Sequence, residues 1–336
     1  MATEEPDILK ELFKENNAAW PDLALNIFRI QYRLNEVYRQ FCDILRVEPA
    51  AVNSISQIPF LPIQLFKSRA IKTGSFTPAT IFESSGTTGS VNSKHLVKDL
   101  GIYEQSFLSG FNKFYGEPRR YCILGLLPSY LERGNSSLVY MVNDLIEKSQ
   151  HPDSGFYLQD HEQLHSVIAS NEAKGQQTLL IGVTYALLDF AENYSLQLKH
   201  TIIMETGGMK GRREELTRAQ VHSILKDSFG ITSIHSEYGM TELLSQAYSR
   251  GDGIFHPSDT MKILLRAEDD PFDVNASLPP GRSFLTGAMN IIDLANIHSC
   301  SFIATDDMGK LYTDGSFEVL GRLDNSDIRG CGLMIL

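Results

Sequence analysis

The sequence predicts an α/β fold with largely parallel buried strands, and three observations predict it. The short apolar runs "YCILGLLP", "TLLIGV" and "HTIIME" read as strands covered on both faces. Helical stretches around Ile102 to Tyr115, Ser136 to Lys148 and Glu214 to Phe229 alternate with them, the order expected of strand–helix–strand units. After Gly251 the helices thin out, and "GRSFLTGAMNIIDL", "SCSFIATDDMG" and "KLYTDGSFEVLGRLD" predict an antiparallel, β-rich tail with a turn at Asp314-Gly315.

Taken in order, residues 5 to 46 carry apolar positions at helical spacing, with a break and restart at Trp20-Pro21-Asp22. "WPDLALNIFRIQYRLNEVYRQFCDIL" reads as one long amphipathic helix. From Ile58 the texture changes to proline-punctuated loops and short apolar runs, of which "IPFLPIQLF" is the first strand candidate. No repeat, low-complexity tract or linker divides the rest. The expected organisation is therefore a helical segment, 1–55, packed on a domain formed by 56–336.

Bulk properties exclude several classes. The chain has 336 residues and a formal net charge of −11, with a pI near 5.3. A nucleic-acid surface or an anionic membrane needs a basic face, so neither is expected as a partner. No apolar run reaches the roughly 18 residues a membrane span requires, and the acidic start "MATEEPDILKELF" lacks the order of a secretory signal. Cys42, Cys122, Cys300 and Cys331 are scattered, giving neither a disulfide framework nor a zinc pattern. A reducing cytoplasm is the expected compartment. No G-x-S-x-G elbow supports serine-hydrolase chemistry, and His222 and His235 form no H-x-x-x-H or triad-like group. The aromatic residues, 10% of the chain, read mostly as core.

The densest chemical signal is "FESSGTTGSVNSKH", residues 82 to 95, which follows the β-favouring Thr80-Ile81-Phe82. Glycines allow close backbone approach, and hydroxyls with exposed amides donate to phosphate oxygens. It is not a Walker loop, because no Ser or Thr follows Lys94. By composition alone, an ordinary surface turn explains the stretch as well as a nucleotide loop does.

Three further segments decide between them. "SSGTTG" (Ser84 to Gly89) resembles the phosphate loop of the adenylate-forming superfamily, which includes acyl-CoA synthetases and phenylacetate-CoA ligases. "YGMTE" (Tyr238 to Glu242), "METGGMKG" with Gly207-Gly208, and the late pair "IATDDMGKLY" and "LGRLDNSDIRGCG" resemble its later signatures, in order. With "LPSYLERGNSSLVYMV" and "EYGMTELLSQAYS", the wording is most similar to the LuxE-type acyl-protein synthetases of bacterial luminescence.

That resemblance implies the large N-terminal domain of the adenylate-forming fold without its mobile C-terminal lid. It also implies activation of a carboxylic acid, fatty in the LuxE type, with ATP and Mg²⁺. Ser84, Ser85, Gly86, Thr87, Thr88 and Gly89 would hold the pyrophosphate side of ATP, with Thr87 and Thr88 among the catalytic groups. Thr241 would approach the α-phosphate and Glu242 would coordinate Mg²⁺. Gly207 and Gly208 would lie against the adenine, Tyr238 and Gly239 would also bind the nucleotide, Asp307 would take the ribose hydroxyls, and Arg322 would stand near ribose or phosphate. Singly, Glu242 reads as a first-turn helix acid, Asp307 as a turn former and Arg322 as a solvated charge; the ordered set favours the functional roles.

Two features depart from the superfamily pattern. Lys94 sits behind "SVNS" with no proline beside it, which weakens its match to the catalytic lysine of the phosphate loop. The sequence also stops just past the Gly-Arg-x-Asp signature, before any lid lysine. The LuxE resemblance supplies another route, in which Cys331, set between glycines in "RGCGLMIL", accepts the acyl group and passes it to a reductase or carrier partner. The preceding Arg329 would favour the reactive thiolate; the competing reading of Cys331 is a small buried residue in a terminal strand. Cys42, Cys122 and Cys300 read as core. The alternatives are a shortened aryl- or acyl-CoA ligase and a non-catalytic nucleotide-binding module.

Overall fold

The computed structural model describes residues 5–14, 18–84, 91–128, 134–208, 216–275, 278–279 and 281–323. The chain separates into two compact units, Met1–Gly110 with Met240–Gln246 and His256–Leu336, and Phe111–Gly239 with Ala247–Phe255.

The second unit holds the parallel strands that the apolar runs predict. Cys122–Leu126, Thr178–Gly182 and Thr201–Glu205 pair in parallel, with Leu124 opposite Leu180 and Leu180 opposite Ile203. Gly155–Phe156 adds to one side and His235–Tyr238 to the other, both parallel, before Ala247–Ser249 closes the order antiparallel. Every residue of Cys122–Leu126 and Thr178–Gly182 is buried, as strands covered on both faces require. Leu187, Phe190, Leu225 and Phe229, from the Thr184–Asn193 and Arg218–Phe229 helices, complete this core with Leu180 and Ile203. The second of these helices begins later than Glu214 because Thr217 caps it, accepting from Gln220 in a capping box.

In the first unit the tail is antiparallel, in the order Val274–Asn275, Met261–Arg266, Phe284–Asp293, Phe302–Tyr312 and Phe317–Arg322. The Asp314-Gly315 turn is present, with Gly315 at φ +83° and the Gly315 amide donating to Tyr312. "IPFLPIQLF" forms only a two-residue strand, Leu61–Pro62, parallel to Ile303 and Ala304, and then turns into the short Leu65–Ser68 helix. Pro59 and Pro62 each remove a ladder donor, which ends the strand.

The expected long N-terminal helix is two, Trp20–Leu34 and Glu36–Ile44. Asn35 divides them: its side chain accepts from the Tyr38 amide as an N-cap and donates to the Ser299 carbonyl. A polar side chain bonded to a distant loop outweighs the local apolar period. Phe28 and Tyr38 pack on Phe302 with ring centroids 6.3 and 6.0 Å away. One turn of helix above Asn35, the buried Gln31 donates to Asn296 and Ile297 and accepts from the Ser301 amide. Among the described residues no helix is long and apolar enough to cross a membrane.

Candidate active site

In the first unit, a two-stranded hairpin, Thr80–Glu83 with Lys94–Val97, carries the two ends of the hydroxyl-rich loop. Its base is pinned twice: the Ser84 amide donates to the Ser93 carbonyl at 3.1 Å, and the Ser93 amide donates to the Ser84 hydroxyl at 2.9 Å. Ser85, Gly86, Thr87, Thr88 and Gly89 lie outside the described residues, as does Cys331. Lys94 points outward, 59% exposed, with its ammonium 3.7 Å from Glu83 across the hairpin. An exposed pair of this kind contributes about 0–1 kcal/mol and does not immobilise the lysine.

Glu242, Asp307 and Arg322 come together in this unit. Glu242 is 6% exposed, and burial raises its carboxyl pKa; a Ser93 hydrogen bond and the Lys67 charge pull it back, while the charge of Asp307 raises it further. Asp307 lies opposite Arg322 in the ladder, and the guanidinium reaches Asp306 at 3.2 Å and Asp307 at 3.8 Å. Two acids therefore share one neighbourhood with a cation at its edge. Neither Ser93 nor Lys67 stands out in the sequence, because a lone serine and an exposed lysine carry no local pattern.

The Thr241–Ser245 backbone beside Glu242 is held by buried side chains from far along the chain. Asp293 accepts from the Leu244 and Ser245 amides at 2.7 and 3.2 Å and from the Ser245 hydroxyl at 2.5 Å. Burial nevertheless raises the Asp293 pKa to about 6. Asn296 donates to the Glu242 carbonyl and His95 to the Thr241 carbonyl, each at 2.8 Å.

In the second unit, Gly207 and Gly208 adopt φ +72° and +92°, a conformation that glycine adopts without strain. A Cβ on Gly207 would meet none of the described residues within 4 Å. The turn is anchored by Glu205, which sequence reasoning passes over although it sits two residues upstream. Its buried carboxylate accepts from the Gly207 amide at 2.7 Å and the Thr184 hydroxyl at 3.2 Å, with Arg218 and His222 at 3.9 and 3.7 Å. Burial opposes its charge, but the His222 and Ser236 side chains, the Arg218 charge and the Gly207 amide outweigh burial and lower its pKa. His222 lies beside this anchor, beyond hydrogen-bond distance. His235 faces the Tyr115 hydroxyl at 3.1 Å. Tyr238 closes the His235–Tyr238 strand, its ring 5.9 Å from that of Phe255, and Gly239 follows it.

Beside Tyr238, Glu237 is buried and carries a pKa raised to about 8, first by burial and then by the charge of Glu205. A carboxyl pKa raised on folding stabilises fully below its unfolded value, about 4.3, and loses that contribution as pH rises through the folded value. Glu237→Gln is therefore expected to flatten the pH dependence of stability between pH 5 and 8 and to gain on the order of 3 kcal/mol over the native protein at pH 8. Urea denaturation at both pH values measures this; parallel profiles for the two proteins would show that Glu237 does not titrate there.

This architecture is that of the adenylate-forming ligases. It is similar to ATP-bound MatB from Rhodopseudomonas palustris at TM-score 0.52 and 17% identity, over 76% of this chain and 49% of that one. It is also similar to 2-hydroxyisobutyryl-CoA ligase with 2-HIB-AMP, at TM-score 0.62 and 9% identity over 91% and 68%, and to the same ligase with 2-HIB-AMP and CoA, at 0.61 and 10% over 96% and 69%. The chain spans about half the length of MatB. No curated protein matches it. Within that fold class, residues 10–336 match the model of the LuxE acyl-protein synthetases, and the chain belongs to that family.

Proposed function

We propose that the chain activates a carboxylic acid with ATP and transfers the acyl group to a thiol, on itself or on a partner reductase or carrier protein. The carboxylate oxygen attacks the α-phosphorus, pyrophosphate leaves with the bonding pair, and the acyl adenylate so formed has a leaving group that the free acid lacks. The observation that carries this reading is the buried Glu242 with the half-buried Asp307 close enough to raise its pKa, in a chain whose family is the acyl-protein synthetases.

The residues present fit Mg²⁺. Among the described residues no group of three or more His, Cys, Asp or Glu could hold a metal, whereas Mg²⁺ uses one or two carboxylates and takes its other ligands from phosphate and water. Glu242 would hold it, and the ion would neutralise phosphate charge. The loop Ser84 to Gly89 would cradle the pyrophosphate side, with Thr87 and Thr88 donating and Lys94 free to swing inward, and Thr241 would meet the α-phosphate. Asp307 would take the ribose hydroxyls, Arg322 a ribose or phosphate oxygen, and Gly207, Gly208, Tyr238 and Gly239 the base. The role of these groups is positioning and charge neutralisation.

Three of the four cysteines are unsuited to carry the acyl group. Cys42, Cys122 and Cys300 are buried, and burial raises all three thiol pKa values, that of Cys42 to about 12. Thiolates are disfavoured there, which leaves Cys331 as the proposed carrier.

ATP–pyrophosphate exchange across a panel of acids tests the reading. Straight-chain fatty acids are expected to drive exchange, with apparent affinity improving by about 0.8 kcal/mol per buried methylene until the pocket is full. Exchange with no acid would identify a non-catalytic nucleotide-binding module, and a preference for short charged acids would overturn the apolar pocket.

A further inference from the structure

His95 is 1% exposed on the strand that leaves the hydroxyl-rich loop. Burial pushes its pKa down to about 4, so the ring is neutral near pH 7. Both ring nitrogens face oxygen atoms, and the neutral imidazole has a single N–H to donate. Nδ1 donates to the Thr241 carbonyl at 2.8 Å, and Nε2 lies 2.9 Å from Asn296 Oδ1. Asn296 in turn donates through Nδ2 to the Glu242 carbonyl at 2.8 Å, which fixes the sense of its amide. Gln31 donates to the Asn296 carbonyl and holds that residue from behind, and the Phe66 ring meets the imidazole edge to face at 6.1 Å. Two residues before His95, Ser93 hydrogen-bonds the Glu242 side chain and is pinned to Ser84. One short strand thus touches the base of the loop, the Glu242 carboxyl and the Thr241 carbonyl.

We propose that His95, with Asn296, is a positioning residue that locks the Thr241–Glu242 backbone to the strand leaving the phosphate loop, so that the groups meeting the α-phosphate and the metal are set as one rigid piece. His95 acts through those two carbonyls and touches no reacting atom. The inference rests on the adenylation reading, and its effect falls on the transition state: a displacement of Thr241 and Glu242 on the ångström scale costs up to about 100-fold in rate while ATP still binds.

The test is pyrophosphate exchange per folded enzyme, with kcat and the KM for ATP measured separately at saturating acid. His95→Phe fills the space and removes the hydrogen bond to the Thr241 carbonyl; it is expected to lower kcat by about 10- to 100-fold with KM within about threefold. His95→Asn places an amide nitrogen where Nδ1 stood and keeps the Thr241 bond; it is expected to recover at least about fivefold over His95→Phe. Should neither fold, Asn296→Leu removes the Glu242 bond together with the oxygen facing His95 Nε2 and is expected to lower kcat about 10-fold. A residue needed only for stability would leave kcat per folded molecule unchanged. A folded His95→Phe or Asn296→Leu with kcat within threefold of the native enzyme overturns the proposal, as does a His95→Asn no better than His95→Phe. If the native enzyme exchanges with no acid, the adenylation reading fails first and this inference with it.

Discussion

Glu242→Ala is expected to lower acid-dependent pyrophosphate exchange by two or more orders of magnitude, the scale of losing a principal electrostatic stabiliser of a transition state. The loss does not come from unfolding. Burial and the Asp307 charge raise the pKa of Glu242, so its ionised form is held against a net penalty, and removing it relieves the fold. Glu242→Gln keeps the side-chain shape and discards only the charge, and the backbone carbonyl that accepts from Asn296 is the same in both variants; it is expected to be as inactive as the alanine variant. Circular dichroism and a thermal melt establish that each variant is folded, and exchange near the native rate in either would remove Glu242 from the mechanism.

Cys331→Ser is expected to separate the two half-reactions. Adenylate formation needs the acid, ATP and the metal, so exchange persists at the native rate. In the second step the thiolate sulfur attacks the acyl carbonyl, AMP departs with the bonding pair, and a thioester remains. Native enzyme incubated with ATP, Mg²⁺ and a radiolabelled acid is expected to hold label that neutral hydroxylamine releases, and Cys331→Ser to hold none and to pass none to a partner thiol. If the serine variant labels as well as the native enzyme, the carrier lies elsewhere. If coenzyme A discharges the adenylate at full rate in that variant, the chain is a short CoA ligase.

Much of the fold is legible because its signals are local. Continuous burial of Cys122–Leu126 and Thr178–Gly182 follows from their composition, and the Asp314-Gly315 turn from the one residue type that takes its φ freely. The boundaries that fail, at Asn35 and in "IPFLPIQLF", do so where a polar side chain or a proline answers to a distant partner.

The sequence by itself determined the α/β class and the order of the motifs, since each is written in a few consecutive residues; the groups proposed to meet ATP follow from the resemblance those motifs carry. Only the tertiary structure decided which groups support them. His95 meets Thr241 across 146 positions and Asn296 across 201, and Asp293 reaches Ser245 across 48. Glu205 and Glu237 differ in protonation because one gathers donors and a guanidinium while the other is buried beside the first one's charge. Hydrogen bonds and desolvation are set by what surrounds a side chain in space, and no periodicity along the chain records it.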